Sequence, residues 1–169
     1  MSEFTLMDVT IDPFDIASVR SALQKVNHIR RRLQPALIRL INQMAKKGVE
    51  IARAELIFFD RPAYDTGYLS ESIHSIPYNG DAAYVTTDCY YAAYVEFGTG
   101  SVGQHSAINP EASNIGTYTQ NGWVYYNERL DRFVWTKGMA ARPFMYHTFK
   151  DLIAEVEAVG GQIIAEYIA

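Results

Sequence analysis

From Asp12 to about Phe59 the chain places apolar residues at helical spacing, and no other stretch limits its possible folds so strongly. Val19, Leu23, Val26, Ile29 and Leu33 share one side of a helix, and the pattern resumes at Leu37, Leu40, Ile41, Met44 and Ile51. Asp12 followed by Pro13 reads as an N-cap and a first helical residue. Pro35 has no backbone N–H and its ring crowds the preceding turn, so a kink or a split is expected there. A helix this long with one apolar stripe needs other elements to cover it.

The remaining sequence supplies them. Ser72 to Ile76 alternates polar and apolar residues as a half-buried strand does, and Asn79-Gly80-Asp81 offers the positive φ angles of a tight hairpin turn into Ala83 to Thr87. Tyr90 to Phe97 is aromatic enough for a strand, but Ala92-Ala93 and the stop at Gly98 favour a short helix with a glycine C-cap. Residues 100–121 are rich in Gly, Ser, Asn and Thr and show no apolar period, which predicts a long loop. Gly122 to Tyr126 and Arg132 to Thr136 form a second, aromatic hairpin across Asn127 to Asp131. Pro143 looks like the first residue of a closing helix whose apolar face includes Met145, Phe149, Leu152, Ile153, Val156, Ile163, Ile164 and Tyr167, bent or broken at Gly160-Gly161. The expected class is α+β: a long N-terminal helix kinked near Pro35, an antiparallel sheet of about four strands with a short inserted helix, and a C-terminal helix packed on the sheet. One domain over residues 1–169 is expected, with residues 1–15 as an N-terminal extension.

Charge is unevenly distributed. Between Arg20 and Arg61 ten basic residues face three acidic ones, a local +7 within a chain of net charge −4. Such a split suits head-to-tail contact between copies, or a basic face turned toward DNA or an acidic partner; the plainer reading is a well-solvated helix face. Arg30, Arg31, Arg32, Lys46 and Lys47 are the candidate electrostatic contacts. Three consecutive helical arginines point in different directions, which argues against sequence-specific reading of a groove but leaves non-specific attraction to nearby DNA. The 12 Tyr and 8 Phe exceed what a core of this size needs, and surplus aromatics favour protein interfaces. Cys89 is the only cysteine, so no intrachain disulfide is available, and the start lacks the pattern of a secretory signal. A cytoplasmic folding environment is expected, without a membrane span.

Three resemblances to catalytic motifs carry little weight. Asp65-Thr66-Gly67 matches the aspartic-protease tripeptide, but Arg61-Pro62-Ala63-Tyr64 precedes it where an apolar strand is needed and bulky Tyr68 follows. Gly98-Thr99-Gly100-Ser101-Val102-Gly103 fits the dinucleotide glycine pattern only formally, because Gln104 to Pro110 makes a poor helix and no acidic residue follows at the ribose-binding distance. His28, His74, His105 and His147 lie on different elements without ligand spacing, and Cys89 has no basic neighbour in sequence. No catalytic residue, cofactor, metal or small-molecule substrate is expected. Glu96, between Val95 and Phe97, is either an exposed polar position or a partly buried carboxylate paired to an arginine, with Arg142 as the candidate partner.

Asp65-Thr66-Gly67-Tyr68-Leu69 with Ser72-Ile73, Tyr91 to Gly100, Gly122-Trp123, Trp135 to Met139 and Ala141-Arg142-Pro143-Phe144-Met145 follow one another in an order that resembles the tail-completion or neck-protein family of long-tailed bacteriophages, often labelled minor capsid or tail component. The likeness spans roughly residues 20 to 155. It implies a structural, non-enzymatic virion protein at the head-tail junction, joining heads to tails beside the tail terminator and head connector proteins. A tail terminator or a connector (adaptor or stopper) protein is the nearest alternative, and an aspartic-type hydrolase through Asp65 is a distant one. The resemblance makes Glu96, Phe97, Gly98, Thr99 and Gly100, with Arg142, Pro143 and Phe144, hallmark positions that either contact partners or fix the fold. Trp123 and Trp135 on the aromatic hairpin join them as interface candidates. Self-association into a ring, with the basic helix of one copy on acidic surface of the next, is the expected assembly. Residues 1–15 and Gln104 to Gln120 fall outside the likeness.

Overall fold

In a computed structural model, residues 11–58, 67–111 and 121–168 are described. The expectations for residues 1–10, for Asp65-Thr66 and for residues 112–120 lie outside them.

Helix α1 spans Ile16–Phe58, 43 residues with Pro35 inside. It starts at Ile16 rather than Pro13, because Asp15 is the residue that caps it: its carboxylate accepts from the N–H groups of Ala17 at 3.0 Å and Ser18 at 3.3 Å. Asp12 closes the turn before it by accepting from Phe14 N–H at 2.9 Å. Pro35 does not split the helix. One missing backbone bond costs about 3 kcal/mol, and both halves of α1 recover it through packing, Ala36 being fully buried beside the proline.

Short helix α2 (Tyr68–Ser72) leads into β1 (Ile73–Tyr78), which pairs antiparallel with β2 (Ala82–Thr87). Asn79 and Gly80 take the positive φ angles, 51° and 78°, that the turn requires. Helix α3 (Ala92–Phe97) ends at Gly98 with φ 72°, as its sequence predicts. Helix α4 (Gly100–Ser106) was not expected: the first part of the presumed long loop is helical. Strands β3 (Trp123–Asn127) and β4 (Arg132–Thr136) form the aromatic hairpin, followed by the two-residue β5 (Gly138–Met139) and by α5 (Phe144–Ile168).

The class is α+β, and three details depart from expectation. The four long strands form two separate two-stranded sheets, since β1 and β2 lie against α1 while β3 and β4 pair only with each other. Helix α5 packs chiefly on α1, not across a sheet. It also continues unbroken through Gly160-Gly161, with Gly160 buried against Leu40 of α1. The core lies at the C-terminal half of α1, where Ala52 and Leu56 meet Leu69, Ile73, Cys89, Ala92, Val95 and Phe144. Burial of these side chains at about 25 cal/mol per Å² of apolar surface is what joins α1, α2, β1, α3 and the start of α5.

Candidate functional site

The residues singled out by the sequence converge where α3 meets the start of α5. Val95 and Glu96 are both buried at the end of α3, and a carboxylate only 5% exposed needs strong partners. Glu96 finds them in the first turn of α5. Its Oε2 accepts from Met145 N–H at 2.8 Å, and its Oε1 accepts from Tyr146 N–H at 3.1 Å and from Asn109 Nδ2 at 2.8 Å. Pro143 occupies the N-cap position, its carbonyl taking the first intrahelical bond from His147 N–H at 3.0 Å, but a proline side chain cannot cap. Glu96 therefore caps α5 from another helix, and its charge lies at the positive end of the α5 dipole.

This corrects the expected pairing of Glu96 with Arg142. A buried carboxylate needs donors, and here the unpaired N–H groups of a helix start provide them. Arg142 contributes its backbone, donating its N–H to Val95 O at 2.8 Å, so α3 and the approach to α5 are joined twice. Burial raises the Glu96 pKa above its ordinary 4.5, against the opposing pull of the Met145, Asn109 and Tyr146 bonds and of nearby His147. His147 ties the same turn to α1, with Nδ1 2.9 Å from Glu55 Oε2. Phe144, 1% exposed, drives its ring into the core beneath the cap.

The glycines around Thr99 have a packing role. Thr99 and Gly100 bridge antiparallel to Met139 and Gly138. Thr99 Oγ1 accepts from Met139 N–H at 3.0 Å, and Ser106 Oγ from Ala141 N–H at 2.8 Å. A Cβ on Gly138, whose φ is 112°, would stand 1.8 Å from Thr99 O, and one on Gly100 would stand 2.2 Å from Lys137 O. The space a phosphate would need beside Gly98, Gly100 and Gly103 is thus filled by the backbone of residues 137–141, which gives the dinucleotide pattern a structural explanation. Trp123 closes this knot, its ring 2.9 Å from the position of a Gly100 Cβ.

Family models, curated proteins and solved structures yield no match to this chain.

Trp135 stands apart from the knot. It is 56% exposed, with Lys137 Nζ 5.8 Å from its ring centre. It shares one face of the β3–β4 hairpin with Val124, Tyr126 and Phe133, since alternate residues of paired strands point the same way. All four are exposed, Phe133 at 73%. The basic candidates lie elsewhere again, on α1: Arg30, Arg31 and Lys46 are exposed and Arg32 and Lys47 half-buried. Gln34 and Asn27 join Arg30 and Arg31 around a shallow polar recess, and Arg31 donates to Asn27 O at 3.3 Å. Among the described residues no three His, Cys, Asp or Glu side chains converge as a metal site would require, and no helix is long and apolar enough to cross a membrane.

Sequence reasoning missed Asn109, which holds Glu96, and Arg53, which donates to the carbonyls of Ser70 at 3.0 Å and Ile73 at 2.9 Å and so fastens α1 to α2 and β1. Neither carries a spacing signal. Asn109 lies in a stretch without apolar period, and Arg53 is one of many cations on a basic helix.

Proposed function

We propose that this protein is a structural component of a bacteriophage head-tail junction, completing the tail or neck so that heads and tails join, and that it acts without catalysing a reaction. One observation carries the reading. The residues that resemble the tail-completion family, Glu96 to Gly100, Trp123, Gly138-Met139 and Arg142 to Met145, build a single knot in which capping, bridging and close glycine packing hold the backbone. Such a motif stabilises a scaffold, and the chemistry of contact is left to the exposed aromatic hairpin and the basic helix. Large exposed apolar faces are a mark of interaction surfaces.

On this reading the partners are the neighbouring tail terminator and head connector proteins, other copies of the chain, and DNA passing close by. Assembly takes place in the host cytoplasm and the finished protein resides at the head-tail junction of the virion. The test is to add the purified protein to tails and DNA-filled heads prepared without it and to count joined particles by electron microscopy. Joined particles that appear only with the protein are expected. Failure to co-sediment with heads or with tails would overturn the proposal.

A further inference from the structure

In the N-terminal half of α1, Arg20, Gln24, Asn27, Arg31 and Gln34 recur at four and three residues and so share one side of the helix. All five are exposed. Arg30 borders the same side, since Gln24, Asn27, Arg30, Arg31 and Gln34 together line one polar recess. At 1.5 Å per residue this side runs roughly 21 Å. It carries no apolar side chain between Ile16 and Ile38, which mark its ends. Leu40, against which Gly160 of α5 packs, lies on the opposite side of α1.

The fold makes no use of the cations on this side. Arg39 pairs with Glu166 and Arg53 donates to the carbonyls of Ser70 and Ile73, whereas among the described residues no carboxylate pairs with Arg20, Arg30 or Arg31. Arg31 turns only its Nε inward, to Asn27 O at 3.3 Å. No acidic residue occurs between Ile16 and Val49, and Asp12 and Asp15 just ahead are occupied with N–H groups of the helix start. We infer that this side of α1 binds the phosphate backbone of double-stranded DNA through Arg20, Arg30 and Arg31, with Gln24, Asn27 and Gln34 as uncharged donors.

Residue chemistry selects this partner. Phosphate oxygens accept hydrogen bonds from Arg, Asn and Gln alike and need no apolar contact. A protein partner would bring an apolar centre to its interface. The acidic β1–β2 hairpin of a second copy, for instance, exposes Ile76, Tyr78 and Tyr84 beside Asp81 and Asp88, and those side chains would meet only amides and guanidinium groups here. Single-stranded nucleic acid is held by stacking on aromatic rings, and this side of α1 has none. Arg32 turns away and is half-buried, so Arg20, Arg30 and Arg31 set the number of phosphates neutralised. The inference rests on the head-tail reading for the choice of DNA over double-stranded RNA, but not for the phosphate contact itself.

The test is fluorescence anisotropy of a labelled DNA duplex of arbitrary sequence, titrated with the purified protein at a series of salt concentrations. Three neutralised phosphates at about 0.9 each predict that log K falls with log salt at a slope of about −2.7, roughly 500-fold for a tenfold rise in salt. Arg20→Gln, Arg30→Gln and Arg31→Gln should each flatten the slope by about 0.9, and the triple variant should lose salt-sensitive binding. Lys25→Gln removes the same charge from the far side of the same turns and should change the slope by less than about 0.3. All four positions are exposed, and far-UV circular dichroism checks that helix content is kept. A second duplex of unrelated sequence should bind within about threefold of the first. The inference is overturned if no binding occurs at the lowest salt, if Lys25→Gln matches Arg31→Gln in effect, or if one sequence is preferred by more than about tenfold. Capture on isolated tails that the triple variant loses, without any affinity for DNA, would overturn it too, assigning the arginines to a protein partner. Joining of heads to tails without DNA binding removes this inference and leaves the head-tail reading; the expected DNA binding without joining does the reverse.

Discussion

Replacing Glu96 with alanine tests whether the cap across helices holds the fold together. The substitution leaves three donors without their acceptor, the N–H groups of Met145 and Tyr146 and the side-chain amide of Asn109, in a place where the carboxylate was 5% exposed. Loss of an ordinary N-cap costs about 1 kcal/mol, and a buried donor left unsatisfied costs about 1–3 kcal/mol. Two helix donors and one amide, with partial relief from water entering the space, give a destabilisation of about 3 kcal/mol. For a chain of this length that corresponds to a fall in Tm of about 6–12 °C. Glu96→Gln keeps the shape and one acceptor oxygen, so about 1 kcal/mol is expected for it. Urea unfolding followed by circular dichroism measures both, with the denaturant slope confirming that the unfolding transition is of the same kind. A loss below about 0.5 kcal/mol for alanine would mean that water or a neighbouring group replaces the carboxylate at no cost, and the cap would then be incidental.

Four further outcomes are expected. Because burial raises the folded-state pKa of Glu96 above its unfolded value, its titration favours the folded state fully below about 4.5 and progressively less as pH rises through the folded pKa; the stability of wild type relative to Glu96→Gln should therefore decline over that interval, and a rise would show that the three donors outweigh burial. In double-mutant cycles Glu96 should couple to Asn109 by about 1–2 kcal/mol and to Arg142 by less than about 0.5 kcal/mol, and strong Arg142 coupling would restore the ion pair that the geometry replaces. Gly138→Ala should cost at least about 3 kcal/mol in urea unfolding because its Cβ meets Thr99 O at 1.8 Å, whereas Gly80→Ala, with open space around it, should cost only the about 1–2 kcal/mol of its left-handed backbone; equal effects would refute the close-packing account. Phe133→Ser should cost no more than about 1.5 kcal/mol, the worth of its exposed edge-to-face contact with Tyr126, yet reduce head-tail joining, and normal joining would remove the aromatic hairpin from the contact surface.

Local rules read well where local forces decide. The turn at Asn79-Gly80, the helix stop at Gly98 and the pairing of Trp123 to Asn127 with Arg132 to Thr136 all follow from residue types within a few positions. The failures share a cause of a different kind. Helix α4 has no apolar period because its contacts are made by Gly100 and Gly103 with backbone from residues 137–139, and a glycine carries no hydropathy signal. Gly160-Gly161 lies inside α5 because the packing of that helix on α1 outweighs the low helix propensity of glycine. The Glu96 cap joins residues 49 and 50 apart in sequence. The sequence leaves Glu96 either exposed or paired to an arginine, and neither alternative includes the helix cap, since the N-terminus of a helix has no formal charge to read.

The β3–β4 hairpin shows how such a chain can be firm at one place and adhesive at another. An isolated two-stranded hairpin is marginal in water. This one is held at its base, where Trp123 lies over Gly100 and the strand after β4 bridges to Thr99 and Gly100. Farther out, Tyr126 and Phe133 meet edge to face at 5.3 Å and the Tyr126 hydroxyl donates to Asp131, which keeps the tip paired. The face bearing Val124, Tyr126, Phe133 and Trp135 remains open to solvent even so. Anchoring at the base and exposure beyond it are both needed for a contact element: without the glycine knot the hairpin would fray, and with its aromatic face packed inward it would have nothing to offer a neighbour. A substitution in the knot should therefore lower stability and joining together, while one on the aromatic face lowers joining at a much smaller cost in stability, and that difference separates the residues that hold this scaffold from those that use it.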